Sequence, residues 1–201
     1  IAHADGEDLE QLQPTLLEHN DEFDYVIVTS PEAAKVLRSA WNNVYNTTTT
    51  STATSTRRPR VAVVGKATQQ TCQSLGIPVD FCPSRALASV LAEELPQTTT
   101  TTSNQQHSPP RVLYPCSTKA ATTLQEGLSK RGFRVTRLNT YDTVAASCWT
   151  PQQEQLAAAT NIVCFASPSA VQGWCQNTNS TTTTNNNNTN TAVLAVCIGE
   201  T

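Results

Sequence analysis

The chain has 201 residues, 38% of them hydrophobic and 14% charged, with a formal net charge of −3 at pH 7. That length can bury a real core in one large or two small domains, and the negative balance, without any Lys/Arg stripe interleaved with aromatics, argues against a nucleic-acid binder. The longest apolar runs, Val61 to Gly65 and Ala192 to Gly199, are of strand length, too short for a membrane span, and no signal or transit peptide pattern is present.

In chain order, Ile1 to Asp5 is extended, and Asp24 to Pro31 reads as a buried strand ending in Ser-Pro. Ser30 can then act as an N-cap with Pro31 at the first helical position, and Ala33, Val36, Leu37, Ala40 and Trp41 form one apolar helix face. Asn46 to Thr56 is a solvated Thr-rich spacer. Arg60 leads into a strand, Val61 to Val64, that ends at Gly65 with Thr68 soon after. Ala67 to Leu75 reads as a short helix closed by Gly76, followed by a strand from Ile77 to Cys82. Pro83-Ser84 opens a helix through Leu87, Val90, Leu91 and Leu95, which Pro96 and the Thr98 to Gln106 tract end. Val112 to Tyr114 is the next strand, Pro115-Cys-Ser-Thr118 a turn, and Ala121, Leu124 and Leu128 the buried face of a helix capped by Gly132. Phe133 to Leu138 returns as a strand, Asn139 to Ala146 continues extended, and Pro151 to Ala159 is a helix.

The first pattern then recurs: a strand from Asn161 ends in Ser167-Pro168, and after a Thr/Asn spacer a second strand ends at Gly199 with Thr201 beyond it. Ser30 to Gly65 spans 35 positions and Ser167 to Gly199 spans 32, the difference falling in spacer sequence where length costs little. Alternating strands and helices at this spacing predict parallel sheets with helices on their faces, here two doubly wound α/β lobes. Asn139 to Ala146 is the natural connection between them, with Ile1 to Asp5 as its extended partner. The chain contains no Met and begins at Ile1, and is therefore expected to be a fragment truncated at both ends. Its seven cysteines contain no C-x-x-C pair and read as buried free thiols of a reducing compartment, Cys164 and Cys197 lying in apolar strands. His3, His19 and His107 are far apart, so no metal site is expected.

In open parallel sheets, ligands bind beyond the carboxyl ends of the strands, where helix N-termini present unpaired amides. Five such turns occur: Thr29-Ser30-Pro31, Gly65-Lys66-Ala67-Thr68, Pro115-Cys116-Ser117-Thr118, Ala166-Ser167-Pro168-Ser169 and Gly199-Glu200-Thr201. Each taken singly is ordinary helix capping; five of one kind point to a shared cradle for carboxylate or phosphate groups. No G-x-G-x-x-G occurs, and Gly65-Lys66 fails as a P-loop because Arg60 and Ala67 break the pattern, which argues against nucleotide chemistry. No Ser/His/Asp or Cys/His triad can be assembled, and Cys116 is the one thiol placed like a nucleophile. Tyr141 lies on the connection between the lobes, where its phenol could donate a proton or simply pack.

Taken together, these residues resemble the uroporphyrinogen-III synthase family, especially its plant and algal members. The similarity runs through Ile1 to Gly6, Phe23 to Ala34, Val61 to Thr68, Arg111 to Val144, Ile162 to Val171 and Ala195 to Thr201. The resemblance implies two α/β lobes joined by a two-stranded linker: residues 8–140 as a complete lobe, 147–201 as part of a second, 1–7 and 141–146 as linker strands, and 46–56, 98–106 and 177–191 as low-complexity loops. It implies cyclisation of hydroxymethylbilane to uroporphyrinogen III with inversion of the last pyrrole ring and loss of water, no cofactor or metal, a monomer, and a plastid stroma location. Tyr141 matches the family's tyrosine in the Y-x-T-V stretch and is the expected catalytic residue. Thr29, Ser30, Gly65, Lys66, Thr68, Cys116, Ser117, Ser167, Ser169, Gly199 and Thr201 are expected to bind substrate. Two positions depart from the family's pattern: Lys66 stands where Pro or another small residue is common, and Glu200 places a carboxylate where an anionic substrate would pass. A non-catalytic two-lobed protein closing on a small anion accounts for the repeat and the cradles equally well, but does not require Tyr141.

Overall fold

A computed structural model describes residues 2–19, 22–46, 58–97, 108–144, 149–165, 168–181 and 194–197. The chain divides into two compact units, one of Ala4–Asp142 and one of Ile1–His3 with Thr143–Thr201.

The larger unit is built on a five-stranded sheet. Its strands are β1 (Ala2–Asp5), β2 (Tyr25–Val28), β3 (Arg60–Val63), β4 (Arg111–Ser117) and β5 (Arg134–Val144), in the order β1-β5-β4-β2-β3. β2 pairs in parallel with both β3 and β4, and β4 with β5. Helices α1 (Leu9–Glu18), α2 (Pro31–Trp41), α3 (Lys66–Ser74), α4 (Ala88–Glu94) and α5 (Thr123–Lys130) supply the connections. All four residues of β2 are buried, because helices cover both faces of the sheet. Alternation sorts them: Val26 and Val28 join Leu12, Leu16, Leu37, Trp41, Val61 and Cys72 in one core, while Tyr25 and Ile27 join Leu91, Val112, Tyr114, Leu124 and Phe133 in the other. The expected pairing of the N-terminal segment with the extended stretch after Leu138 is present as β1 beside β5.

Most element readings are recovered, and the departures have local causes. α1 has no clear signal in the sequence: Pro14 lies inside it, ordinarily a mark against a helix, yet Leu12 and Leu16 bury one face completely enough to hold it. After Trp41 the chain widens into a π-helical turn, Asn42–Asn46, so the spacer expected from residue 46 begins at the end of an ordered turn. Ile77 to Cys82 is not a strand; Pro78 and Pro83 bracket it, and only Phe81 makes a bridge, to Ala62. Asp80 instead takes hydrogen bonds from the Val61 amide at 2.8 Å and from Arg58 at 2.9 and 3.1 Å. The helix expected from Ser84 starts only at Ala88, since the Ser84 amide is drawn 2.7 Å from the Glu94 carboxylate, which the Ser84 hydroxyl also meets. β4 runs straight through Pro115 and Cys116, so the turn expected at 115–118 begins later, at Thr118. Gly76 and Gly132 close their helices as predicted, with φ of 76° and 84°.

The smaller unit holds α6 (Pro151–Ala158), β6 (Ile162–Phe165), α7 (Pro168–Thr181) and β7 (Leu194–Cys197), with β6 and β7 paired in parallel from Ile162 opposite Leu194 to Phe165 opposite Cys197. α6 is fixed by a reciprocal capping box between Thr150 and Gln153. Trp174 on α7 meets the rings of Trp149 and Phe165 edge-on at 5.1 and 6.1 Å. Two expectations are corrected here. α7 continues to Thr181, so residues 177–181 are helical rather than loop, and Asn177 and Thr178 hydrogen-bond carbonyls one turn back. Cys164 is exposed, not buried, because Ile162, Leu194 and Val196 of the same small sheet are themselves open to solvent. Cys175 on α7 is exposed as well and Cys82 is half-buried, whereas Cys72 and Cys116 are buried free thiols as expected; Cys148 and the side chain of Cys197 lie outside the described residues. Among the described residues no helix is long and apolar enough to cross a membrane, and no cluster of His, Cys, Asp or Glu could hold a metal ion.

Candidate functional site

Because β2, β3, β4 and β5 run parallel, their carboxyl ends share one edge of the sheet. That edge carries Thr29 and Ser30 after β2, Gly65 and Lys66 after β3, Ser117 and Thr118 at the end of β4, and Tyr141 on β5 directly opposite Ser117. The ladder is irregular at this point: Cys116 pairs with Asn139 and Ser117 with Tyr141, so Thr140 is the extra residue. The consequence is visible in the packing. Leu138 and Tyr141 lie three apart, which alternation would put on opposite faces, yet both join the core that contains Val28 and Ala33. The extra residue turns Tyr141 toward the start of α2.

The backbone around Tyr141 is held from both sides. Thr118 donates to the Tyr141 carbonyl through its amide at 3.0 Å and its hydroxyl at 3.2 Å. Gly6 donates to the Thr140 carbonyl at 3.2 Å, and Asp8 accepts the Asn139 amide at 2.8 Å while donating its own amide to the Asn139 carbonyl at 3.1 Å. A side chain on Gly6 would put its first carbon 2.0 Å from the Asn139 carbonyl oxygen and 2.6 Å from the Tyr141 nitrogen, so only glycine permits this approach. Arg137 secures the end of β4 by donating to the Ser117 and Thr118 carbonyls at 3.3 and 3.2 Å.

Two tyrosine–hydroxyl pairs result. The Tyr141 phenol lies 2.8 Å from the Ser30 hydroxyl, which also accepts the Ala33 amide at 3.0 Å as the N-cap of α2. The Tyr114 phenol lies 3.4 Å from the Thr29 hydroxyl. Burial pushes the Tyr141 phenol above its ordinary value, against the lowering effect of the Ser30 bond and with Cys116 and Glu32 adding to the rise. Burial does the same to Tyr114 and to the Cys116 thiol. Both phenols therefore keep their protons at neutral pH. Cys116 is corrected as a candidate nucleophile: it is a strand residue with no exposed surface, and its thiol is driven away from the reactive thiolate.

The structure thus brings Ser30, Thr29, Ser117 and Tyr141 to one place. Gly65, Lys66 and Thr68 share the edge but stand farther along it, at the start of α3 beside the outermost strand. Lys66 is exposed, whereas the Thr68 side chain is buried. Gly65 has an extended φ of −174° that any residue adopts; what it avoids is Ala86, whose Cβ would lie 2.7 Å from an added Cβ. Ser167, Gly199 and Thr201 lie outside the described residues, as does the side chain of Ser169. The sequence reading missed Tyr114, Arg137, Gly6 and Asp8 as site-shaping residues. Gly6-x-Asp8 beside an extended segment was the available signal for the last two; the roles of Tyr114 and Arg137 depend on cross-strand register, which no local pattern encodes.

Comparison with known proteins gives one consistent result. The family model described as uroporphyrinogen-III synthase HemD matches residues 1–201. The chain is 37% identical over 207 residues to a protein of Oryza sativa subsp. japonica named "Uroporphyrinogen-III synthase, chloroplastic", an alignment that takes in 100% of this chain and 60% of the rice protein. The chain therefore spans about 60% of that relative's length. Among solved structures, a selenomethionine derivative of a mutant uroporphyrinogen III synthase from the extremely thermophilic bacterium Thermus thermophilus superposes with a TM-score of 0.55 at 14% identity, covering 98% of this chain and 73% of that one. The wild-type protein gives 0.53 at 14% identity, with 99% and 72% covered. At such identity the two structures speak for the fold alone.

Proposed function

From the premise that the chain belongs to the uroporphyrinogen-III synthase family, we propose that the protein cyclises hydroxymethylbilane to uroporphyrinogen III, inverting the last pyrrole ring and releasing water. The observation that carries the proposal is the protonated Tyr141 phenol, held 2.8 Å from Ser30 at the carboxyl edge of the sheet. Loss of the substrate hydroxyl leaves an electrophilic azafulvene, and a phenol that stays protonated at neutral pH can give a proton or hydrogen bond to the departing oxygen. Ring closure then asks chiefly that the two ends of a linear tetrapyrrole be brought together, which positioning alone can accelerate strongly.

The many carboxylates of the substrate set the task of the remaining turn residues. Backbone amides and hydroxyls at Thr29, Ser30, Gly65, Ser117, Ser167, Ser169, Gly199 and Thr201 would receive them, with the exposed Lys66 ammonium assisting at the start of α3. Thr68 and Cys116, whose side chains are buried, could contribute through their backbones only. We place the protein in the plastid, as the name of the rice relative suggests, and as a monomer. The alternative of a non-catalytic anion-binding protein gains no support from the relatives.

The assignment is tested by Tyr141→Phe in the full-length protein. Removing the proton while keeping the ring is expected to lower turnover to the inverted isomer by roughly a hundredfold, the lower end of what a general acid contributes. Normal conversion by Tyr141→Phe would remove the phenol from the mechanism.

A further inference from the structure

Asp8 stands at the start of α1 with the residues of a capping box, Asp8-Leu9-Glu10-Gln11, but does not build one. In that arrangement its carboxylate would accept an amide of the helix's first turn and the Gln11 side chain would accept the Asp8 amide, the reciprocal bonds that Thr150 and Gln153 make in α6. Here both Asp8 groups turn to β5 instead. The carboxylate Oδ2 accepts the Asn139 amide at 2.8 Å, and the Asp8 amide donates to the Asn139 carbonyl at 3.1 Å. The second carboxylate oxygen, Oδ1, accepts the Gln11 side-chain amide at 3.1 Å. Every donor in this set is an amide and every acceptor a carbonyl or carboxylate oxygen, so none of these bonds can run the other way.

β1 ends at Asp5, and beyond it a side chain rather than a strand carbonyl receives the Asn139 amide. Asn139 immediately precedes Thr140, the extra residue that turns Tyr141 toward the start of α2. An amide left unpaired at this point is costly, and β5 could regain a partner by slipping one residue, which would send the Tyr141 ring to the opposite face. The Asp8 charge also raises the thiol of Cys116, the residue opposite Asn139, so the carboxylate lies close to the irregular step on both strands.

We propose that Asp8 is a positioning residue for Tyr141: a helix-capping carboxylate diverted to hold the Asn139 amide, and with it the irregular step that aims the Tyr141 ring at the start of α2. This deepens the proposed reaction and rests on it, because the aim of the ring matters to turnover only if Tyr141 takes part. Either oxygen of the Ser30–Tyr141 pair can be the donor without altering where the ring is held.

Asp8→Ser keeps a good helix cap but is too short to place an oxygen where Oδ2 stands, whereas Asp8→Asn keeps an acceptor oxygen at that reach. Three readouts apply to the full-length protein: kcat and KM with hydroxymethylbilane, the thermal midpoint, and hydrogen exchange at the Asn139 amide followed by nuclear magnetic resonance. Asp8→Ser is expected to lower kcat by about tenfold with little change in KM, part of the roughly hundredfold that a misplacement of about one ångström can cost. It should also speed exchange at Asn139. Asp8→Asn should restore both, and Asp8→Ser should cost nothing further in the Tyr141→Phe background. If the thermal midpoint shows Asp8→Ser unfolded, Asp8→Glu, which keeps the charge but shifts the oxygens by a methylene, carries the same expectation.

Normal turnover by Asp8→Ser beside an impaired Tyr141→Phe overturns this inference alone. So does unchanged exchange at Asn139, an Asp8→Asn protein as impaired as Asp8→Ser, or an equal loss from Asp8→Ser when the phenol is already absent. Full conversion by Tyr141→Phe overturns the role of the phenol and this inference with it.

Discussion

At the scale of single residues, burial decides which groups can titrate. Cys72 on α3 is fully buried in the core it shares with Leu37 and Trp41 of α2, and burial pushes its thiol from 9.0 up to about 11. Between those values the unfolded chain loses the thiol proton while the folded chain keeps it, so stability should be complete below about pH 9 and decline as pH rises toward 11. Urea denaturation across that window should show the decline, and Cys72→Ala should flatten it; an equally steep decline in the variant would exclude this thiol as its cause. Single residues were also where the sequence was most and least legible. Ser30 announced itself as an N-cap through Pro31 and the apolar period that follows. Cys116 misled, because Pro115 imitates a turn signal while the chain in fact continues β4, buried on both sides.

At the scale of elements, apolar period and turn chemistry predicted α2, β3 and α3 to within a residue or two and β2 to within three, whereas Ala121, expected on the buried face of α5, lies exposed before the helix begins at Thr123. What could not be read was register. The irregularity at Cys116 and Ser117, which sends Tyr141 to the same core as Leu138, exists only between two strands. So does the contact of Gly6 with β5. Gly6→Ala would drive a methyl group into the Asn139 carbonyl and the Tyr141 amide, displacing the segment that carries the phenol. A loss of about 1–3 kcal/mol is expected, the usual cost of forcing atoms into filled space. A denaturation midpoint equal to that of the parent would show that this contact relaxes freely. α1 teaches the converse: two fully buried leucines outweigh an interior proline that the local pattern cannot discount.

At the scale of the whole molecule, nearly all buried apolar residues belong to the unit of Ala4–Asp142, and among the described residues of the other unit only Phe165 joins them. The larger unit also holds the complete Ser30–Tyr141 and Thr29–Tyr114 pairs, so both hydroxyl–phenol pairs of the candidate site are built by one sheet edge. The doubled strand, Ser-Pro and helix pattern was legible as repetition. Its chemical meaning was not, since Ser167, Gly199 and Thr201 of the second copy lie outside the described residues. The proposed reaction is tested by supplying hydroxymethylbilane to the full-length protein and separating the two uroporphyrinogen isomers. Spontaneous closure leaves the last ring uninverted, so the inverted isomer is expected to predominate, and an isomer mixture no different from that formed without protein would rule out this activity.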